Sequence, residues 1–290
     1  MALFEKDLYN KLQWMKMCED DLRRFCFPRS HWQSGKAQLF NIEQSINTTI
    51  HGPRSRTCKR CNTVYRVDNK GCAVKLETCV HHWAKVSRSV NPYYHCCKRP
   101  INSPPCATAP QHVTGEIDQF NLTGFINTSL NQSLTAKAIY AIDCEMLYTK
   151  TGMDVAAISI VDSECELVYE TLILPESPIV DYNTEHSGLT MQQFRHVSTR
   201  LADVHAKLLT LFGSRTILVG HGLDHDLLRL KVIHDHIIDT SVLFPHPKRF
   251  PIRNSVSYLV SKYGMQFTSC SGLKCQNDAK AAMYLVRNWR

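Results

Sequence analysis

AIYAIDCEMLY, residues 138–148, is the stretch whose reading decides the fold. Apolar residues run almost unbroken from Ala138 to Ile142, so it reads as a buried β-strand. Side chains alternate across a strand, which puts Asp143 and Glu145 on one face beside Ile139 and Ala141. Ionised carboxylates in a core strand are costly unless paired or metal-bound, and two held this close repel each other unless a cation lies between them. Carboxylate oxygens suit Mg²⁺ or Mn²⁺, so the pair points to a hard-metal site of the kind used in two-metal phosphoryl transfer. The plainer alternative is an edge strand whose D-x-E face is simply wet.

Outward toward the C-terminus the pattern becomes α/β. DVAAISIVD (154–162) and ELVYETLIL (166–174) read as strands joined by a polar turn, hence a hairpin. Residues 198–213 are helical in pattern, TILVG (216–220) is a short buried strand, Leu223 to Val232 is helical, and HIIDTSVLF (236–244) is a strand followed by a turn. Helices near 254–263 and 276–288 finish the chain. Three antiparallel strands followed by helix, strand, helix, strand is the order of a ribonuclease-H-like fold, a mixed sheet with flanking helices. Asp226 falls in the first turns of the helix after the fourth strand, and Asp278 begins the last helix, positions that tolerate carboxylates. With Asp143 and Glu145 they make a cage for two ions, Mg²⁺ or Mn²⁺.

Outward toward the N-terminus, residues 54–115 form a Cys/His-rich module. Cys58 and Cys61 make C-x2-C, Cys79 and His82 make C-x2-H, Cys96 and Cys97 are adjacent, and Cys106 and His112 follow. This set suffices for two structural Zn²⁺ ions in Cys₃His sites, with Cys72 and His81 as spare candidates and the pairing open. A segment this short and poor in large aliphatics buries little core, so metal has to hold it together. Arg54, Arg56, Lys59, Arg60 and Arg66 flank the first knuckle, and Trp83, Tyr93 and Tyr94 interleave with Lys85, Arg88, Lys98 and Arg99. Cations for phosphate with aromatics for stacking is the composition of a single-strand binder. The alternative is that the aromatics form the module's small core and the charges keep it in solution. Before it, residues 1–53 read as short amphipathic helices and a connector, and after it residues 116–137 read as a polar linker.

The 290 residues carry a net charge of +8, unevenly spread. Residues 51–100 hold 11 Lys and Arg against 2 Asp and Glu, whereas residues 151–200 hold 2 against 8. A basic module beside an acidic one suits a nucleic-acid-binding metalloenzyme. The chain has no long apolar run and its N-terminal stretch lacks the apolar core of a signal peptide, which argues against a membrane or secreted protein. An intracellular, nuclear protein is expected, in which N-x-S/T triplets at Asn47, Asn121, Asn127 and Asn131 carry no glycan. In a reducing compartment its 13 cysteines read as metal ligands rather than disulfides.

DCEM, TILVGH, the segment around Asp226 and IIDTSVLFPH together resemble the DEDD superfamily of 3′-to-5′ exonucleases, and more narrowly its RNA exonuclease family. LYNKL, the cysteine module and PIVDYNTEHSGLT extend the resemblance over nearly the whole chain. The module also resembles the cysteine- and histidine-rich CHORD-type domains. The resemblance implies that residues 138–290 are an exonuclease domain and that Asp143, Glu145, Asp226 and Asp278 bind metal and carry catalysis. It further implies that Cys144 and Met146 line the pocket of the terminal nucleotide and that single-stranded RNA 3′ ends are the substrate, in RNA processing or turnover.

The chain departs from that family at one place. Histidine-type members carry a general base five residues before the last acid, and here that position is Leu273; the tyrosine-type position, four before, is Lys274. Loss of a general base costs about 10²–10⁴-fold in rate, so the expectation is a weakened exoribonuclease. The alternative is a catalytically inactive exonuclease-like domain that binds RNA or a protein partner through its zinc module.

Overall fold

The alternation along Ala138–Thr149 sorts its side chains onto two cores. A computed structural model describes residues 3–42, 52–87, 89–263 and 272–289. Arg88 of the expected basic flank and the triplet at Asn47 lie outside them.

Helices α1 (Leu3–Gln13) and α2 (Glu19–Arg24) open the chain, followed by a small ribbon of β1 (Arg29–Ser30) and β2 (Ala37–Gln38). The cysteine module has two short antiparallel ladders, β3 (Ser55–Thr57) with β4 (Val64–Arg66) and β5 (Cys79–His81) with β6 (Ala107–Ala109). After β7 (Ile126–Asn127) come β8 (Ala138–Thr149), β9 (Gly152–Val161) and β10 (Leu167–Leu172), an antiparallel meander. Then follow β11 (Ile179–Asp181), α3 (Thr184–Ser187), α4 (Leu201–Leu211), β12 (Thr216–Gly220) and α5 (Leu223–Arg229). The chain continues with β13 (Val232–Ile233), β14 (Ile237–Asp239), α6 (Thr240–Leu243), α7 (Val256–Lys262) and α8 (Lys274–Arg287). Among the described residues the central sheet is six-stranded and mixed, in the order β10-β9-β8-β12-β14, with β11 paired to the end of β8. β12 runs parallel to both β8 and β14.

Ile139 and Ala141 face a core closed by Leu8 and Leu12 of α1 and by Ala279, Ala282, Met283 and Val286 of α8. Those α8 positions follow the helical period, and their small side chains let the helix approach the sheet closely. Ile142 and Cys144 point the other way, into a larger core with Val204 and Leu208 of α4 and Leu223 and Leu227 of α5. Asp143 and Glu145 therefore continue the α8 face of β8, and the helix that seals that core also carries Asp278.

α8 begins at Lys274, two residues before the helix expected from the sequence. The early start brings Lys274 and Cys275 into the first turn and leaves Leu273 as the N-cap. Residues 116–137, expected as a linker, are docked. Ile117, Leu122 and Phe125 bury with Ala37, Leu228 and Ile233, and β7 pairs in parallel with β13. Their apolar residues are isolated in the sequence, and tertiary contact alone gives them a face to cover. No helix among the described residues is long and apolar enough to cross a membrane.

Candidate metal centre and the two cysteine and histidine groups

The sequence's four acids converge, three of them tightly. One carboxylate oxygen each from Asp143, Glu145 and Asp278 lie within 4.8 Å of one another. Asp143 and Glu145 stand opposite Ser159 and Ala157 of β9, and a register shift after Glu145 ends the alternation that carries them. Asp226 is buried on α5 outside that trio, and its charge acts on Asp143.

The turn that aims Asp226 is held by Asp239, a residue to which the sequence reading gave no role. Its carboxylate accepts the backbone N–H groups of Gly222 and Leu223 at 2.9 Å and of Ser241 at 2.8 Å. Gly222 has φ +74°, a left-handed conformation that favours glycine, and a Cβ there would meet Arg253 Nη1 at 2.9 Å. Arg253 in turn donates to Asp224 at 2.7 Å, with side chains 12% and 2% exposed. Cutting one partner of such a buried pair strands a charge. Arg253→Met is therefore expected to lower the unfolding free energy by about 3 kcal/mol, seen as a lower urea midpoint; an unchanged midpoint would show that Asp224 finds another partner.

Burial comes first in every acid shift at the centre. With the charges of Asp226, Asp278 and Glu145 it holds Asp143 well above the ordinary aspartate range. Asp226 is likewise held high by burial and by Asp224, Glu145 and Asp239. Burial raises Glu145 to about 7 although Lys274 pulls it down. The hard oxygens of Asp143, Glu145 and Asp278 at this separation fit Mg²⁺ or Mn²⁺.

One cation stands among them. Lys274 Nζ lies 3.2 Å from Glu145 Oε1 and 3.4 Å from Asp278 Oδ2. Burial opposes its charge, but Glu145 and Asp278 outweigh it and raise the ammonium to about 12, so Lys274 is no base at neutral pH. Leu273 packs with Leu147, Phe194 and Cys275. His221 spends both ring nitrogens at 2.9 Å, one on Thr240 Oγ1 and the other on the Asn254 carbonyl. Cys144 is buried in the larger core, and Met146 is half-buried at the register shift, its carbonyl accepting from Asn183 Nδ2 at 3.3 Å.

The eight expected zinc ligands fall into two groups, Cys58, Cys61, Cys79 and His112, and His82, Cys96, Cys97 and Cys106. The second group is threaded inside the first along the chain, so adjacency in sequence does not reveal the pairing. Cys58 and Cys79 sulfurs are 3.7 Å apart, and Cys106 and Cys96 sulfurs 3.5 Å, near the edge of about 3.8 Å expected for tetrahedral zinc with Zn–S of about 2.3 Å. His112 Nδ1 is 3.3 Å from Cys61, and His82 Nδ1 is 3.6 Å from Cys96 and 3.7 Å from Cys97. His82 Nε2 donates to the Ser103 carbonyl at 3.1 Å, which orients the ring. Burial would raise the Cys61 thiol, but hydrogen bonding to Thr63 and the thiols of Cys58 and Cys79 brings it to about 6. The spare candidates stand aside: His81 Nδ1 is 3.8 Å from Cys79 without joining the foursome, and Cys72 belongs to neither group.

Part of the expected basic and aromatic set is spent internally. Tyr94 stacks on His82 at 3.6 Å, and Lys98 lies over Tyr93. Arg60 pairs with Asp181 and covers the Tyr148 ring, tying the module to the central sheet. Lys59, Trp83 and Lys85 instead line a cleft of about 620 Å³ between the module and residues 181–186.

No family model matches the chain. It is similar to RNA exonuclease 1 homolog of Homo sapiens, 37% identical over 289 residues that cover 96% of this chain and 23% of that protein. It is also similar to exonuclease GOR of Pan troglodytes, 37% identical over 294 residues, 96% of this chain and 41% of that one. The solved Pan2 catalytic unit of Neurospora crassa aligns with a TM-score of 0.47 at 24% identity, over 55% of this chain and 28% of that one. The chain thus spans less than half the length of the curated relatives it matches. Because 96% of it is matched, the similarity takes in the cysteine module as well as the acids and supports the RNA exonuclease family for this chain.

Proposed function

We propose that the protein is a metal-dependent 3′-to-5′ exoribonuclease with a ribonuclease-H-like catalytic domain, acting inside the cell, in the nucleus, on single-stranded RNA 3′ ends. The observation that carries this reading is the convergence of Asp143, Glu145 and Asp278, with Asp226 beside them, from β8, α8 and α5. Magnesium or manganese held there would supply positive charge to the scissile phosphate and lower the pKa of the attacking water. The chain's own work is to present hard oxygens, to keep them dry behind α8, and to aim Asp226 through the Asp239 turn. Met146 would flank the terminal nucleotide from the register shift, with Cys144 beneath it. The two Cys₃His groups would hold structural zinc and so fix the cleft whose Lys59, Trp83 and Lys85 can meet phosphates and a base.

A second reading is favoured by one specific arrangement, Leu273 packed into the core with Lys274 tied to the acids. On it the domain is inactive and binds RNA or a protein partner. A 5′-labelled oligoribonucleotide incubated with the protein and Mn²⁺ or Mg²⁺ decides between them. A ladder shortening from the 3′ end, abolished by chelation, is expected. RNA that is retained intact would favour the binding role.

A further inference from the structure

The cage drawn from the four acids alone takes two divalent ions, but the chain places a fifth charged group, the half-exposed Lys274, at its rim. Lys274 is the first residue of α8 and Asp278 lies one turn later, so both side chains rise from the same helix face toward β8. The ammonium bridges the two elements, 3.2 Å from Glu145 Oε1 and 3.4 Å from Asp278 Oδ2. Glu145 is nearly sealed from solvent, with 8% of its side chain exposed, which leaves little room on its inner side for a second partner. A divalent ion taking those same oxygens would compete with the ammonium for one space and be repelled by its charge. Asp143 makes no hydrogen bond to Lys274 at these distances and feels its charge only, and Asp226 lies outside the trio.

We propose that the Lys274 ammonium is a built-in cation that fills one of the two cation positions of the cage, so that the cage takes a single divalent ion. This rests on the metal-dependent reading above. Lys274 is then a positioning residue: it holds Glu145 and Asp278 together and leaves to the single ion the oxygens of the Asp143, Glu145 and Asp278 trio that it does not itself take. The helix anchor makes the arrangement a property of the backbone, since any long basic side chain at 274 starts one turn from Asp278.

Counting Mn²⁺ bound to the full chain, with its cysteine groups already zinc-loaded, tests this. The wild type is expected to bind one Mn²⁺ with the paramagnetic resonance spectrum of an isolated ion. Lys274→Met is expected to bind two, with the spectrum of a coupled pair, and Lys274→Arg to remain at one. Two ions in the wild type, or one in Lys274→Met, would overturn the proposal while leaving the metal centre intact. No Mn²⁺ in any of the three would overturn the metal reading itself and this inference with it. Asp143→Asn serves as the control, since binding that survives it lies outside the cage.

Discussion

Asp143→Asn is expected to lower exonuclease turnover by about 10³-fold or more while RNA affinity changes little. Asp143 is the acid on which Asp226, Asp278 and Glu145 all act, and one of its oxygens belongs to the tight trio. Losing its charge removes a hard donor and with it positive charge at the scissile phosphate, an effect of several kcal/mol, and each 1.36 kcal/mol is tenfold. Affinity is assigned mainly to the basic module, which the substitution does not touch. Stability without metal should move in the opposite sense. The folded protein holds the Asp143 proton above the ordinary aspartate range, so the unfolded chain ionises first as pH rises, and at neutral pH the charge works against folding. The asparagine removes that burden, so the melting temperature in chelator should stay level or rise, and the increase that Mn²⁺ gives the wild type should vanish. Equal loss of turnover and RNA affinity would move the binding surface to the cage itself.

Removing zinc is expected to unfold the cysteine module and leave the central sheet standing. Beyond its ligands the module's own core is little more than Tyr65 and Val67 with Ala73 and Ala109 beside them, whereas structural zinc contributes roughly 10–16 kcal/mol in small peptides. Two zinc ions per chain should be found by elemental analysis, and Cys79→Ser should leave one. The chelated protein should become protease-sensitive within residues 52–112 but keep a resistant fragment containing β8 and α8. The sheet has cores of its own on both faces, so it need not follow. A stoichiometry near zero in freshly purified protein, or a module that resists protease after chelation, would show that packing rather than metal holds it.

The meeting of Asp143, Glu145 and Asp278 was largely legible because its signals are local. A strand with alternation of two puts Asp143 and Glu145 on one face whatever surrounds it, and the α8 period places Asp278 at the rim of an apolar stripe. The eight Cys and His side chains were legible as candidate ligands, since a segment with so little apolar surface has few other uses for them. Their pairing was not. Spacing ranks neighbours along the chain, and here the group of His82, Cys96, Cys97 and Cys106 is looped out between Cys79 and His112 of the other. The basic and aromatic set was only half legible, because a tyrosine that stacks on a neighbouring histidine has the same letter as one that stacks on a base. Tyr94 proved to be the first kind, and Trp83 lines an open cleft.

The sequence by itself determined the strand that carries two acids, the order of antiparallel and parallel elements, and the identity of the soft and hard donors. Those follow from periodicity and side-chain chemistry, which act within a few residues. Only the tertiary structure decided which ligands share a site, that Asp239 holds the turn beneath Asp226, and that residues 116–137 are docked. It alone also placed Lys274 in the cage. That placement needed the last helix to begin at residue 274 and to lie across β8, and the contact between an ammonium on one element and a carboxylate on another, 129 positions away in sequence, has no local trace.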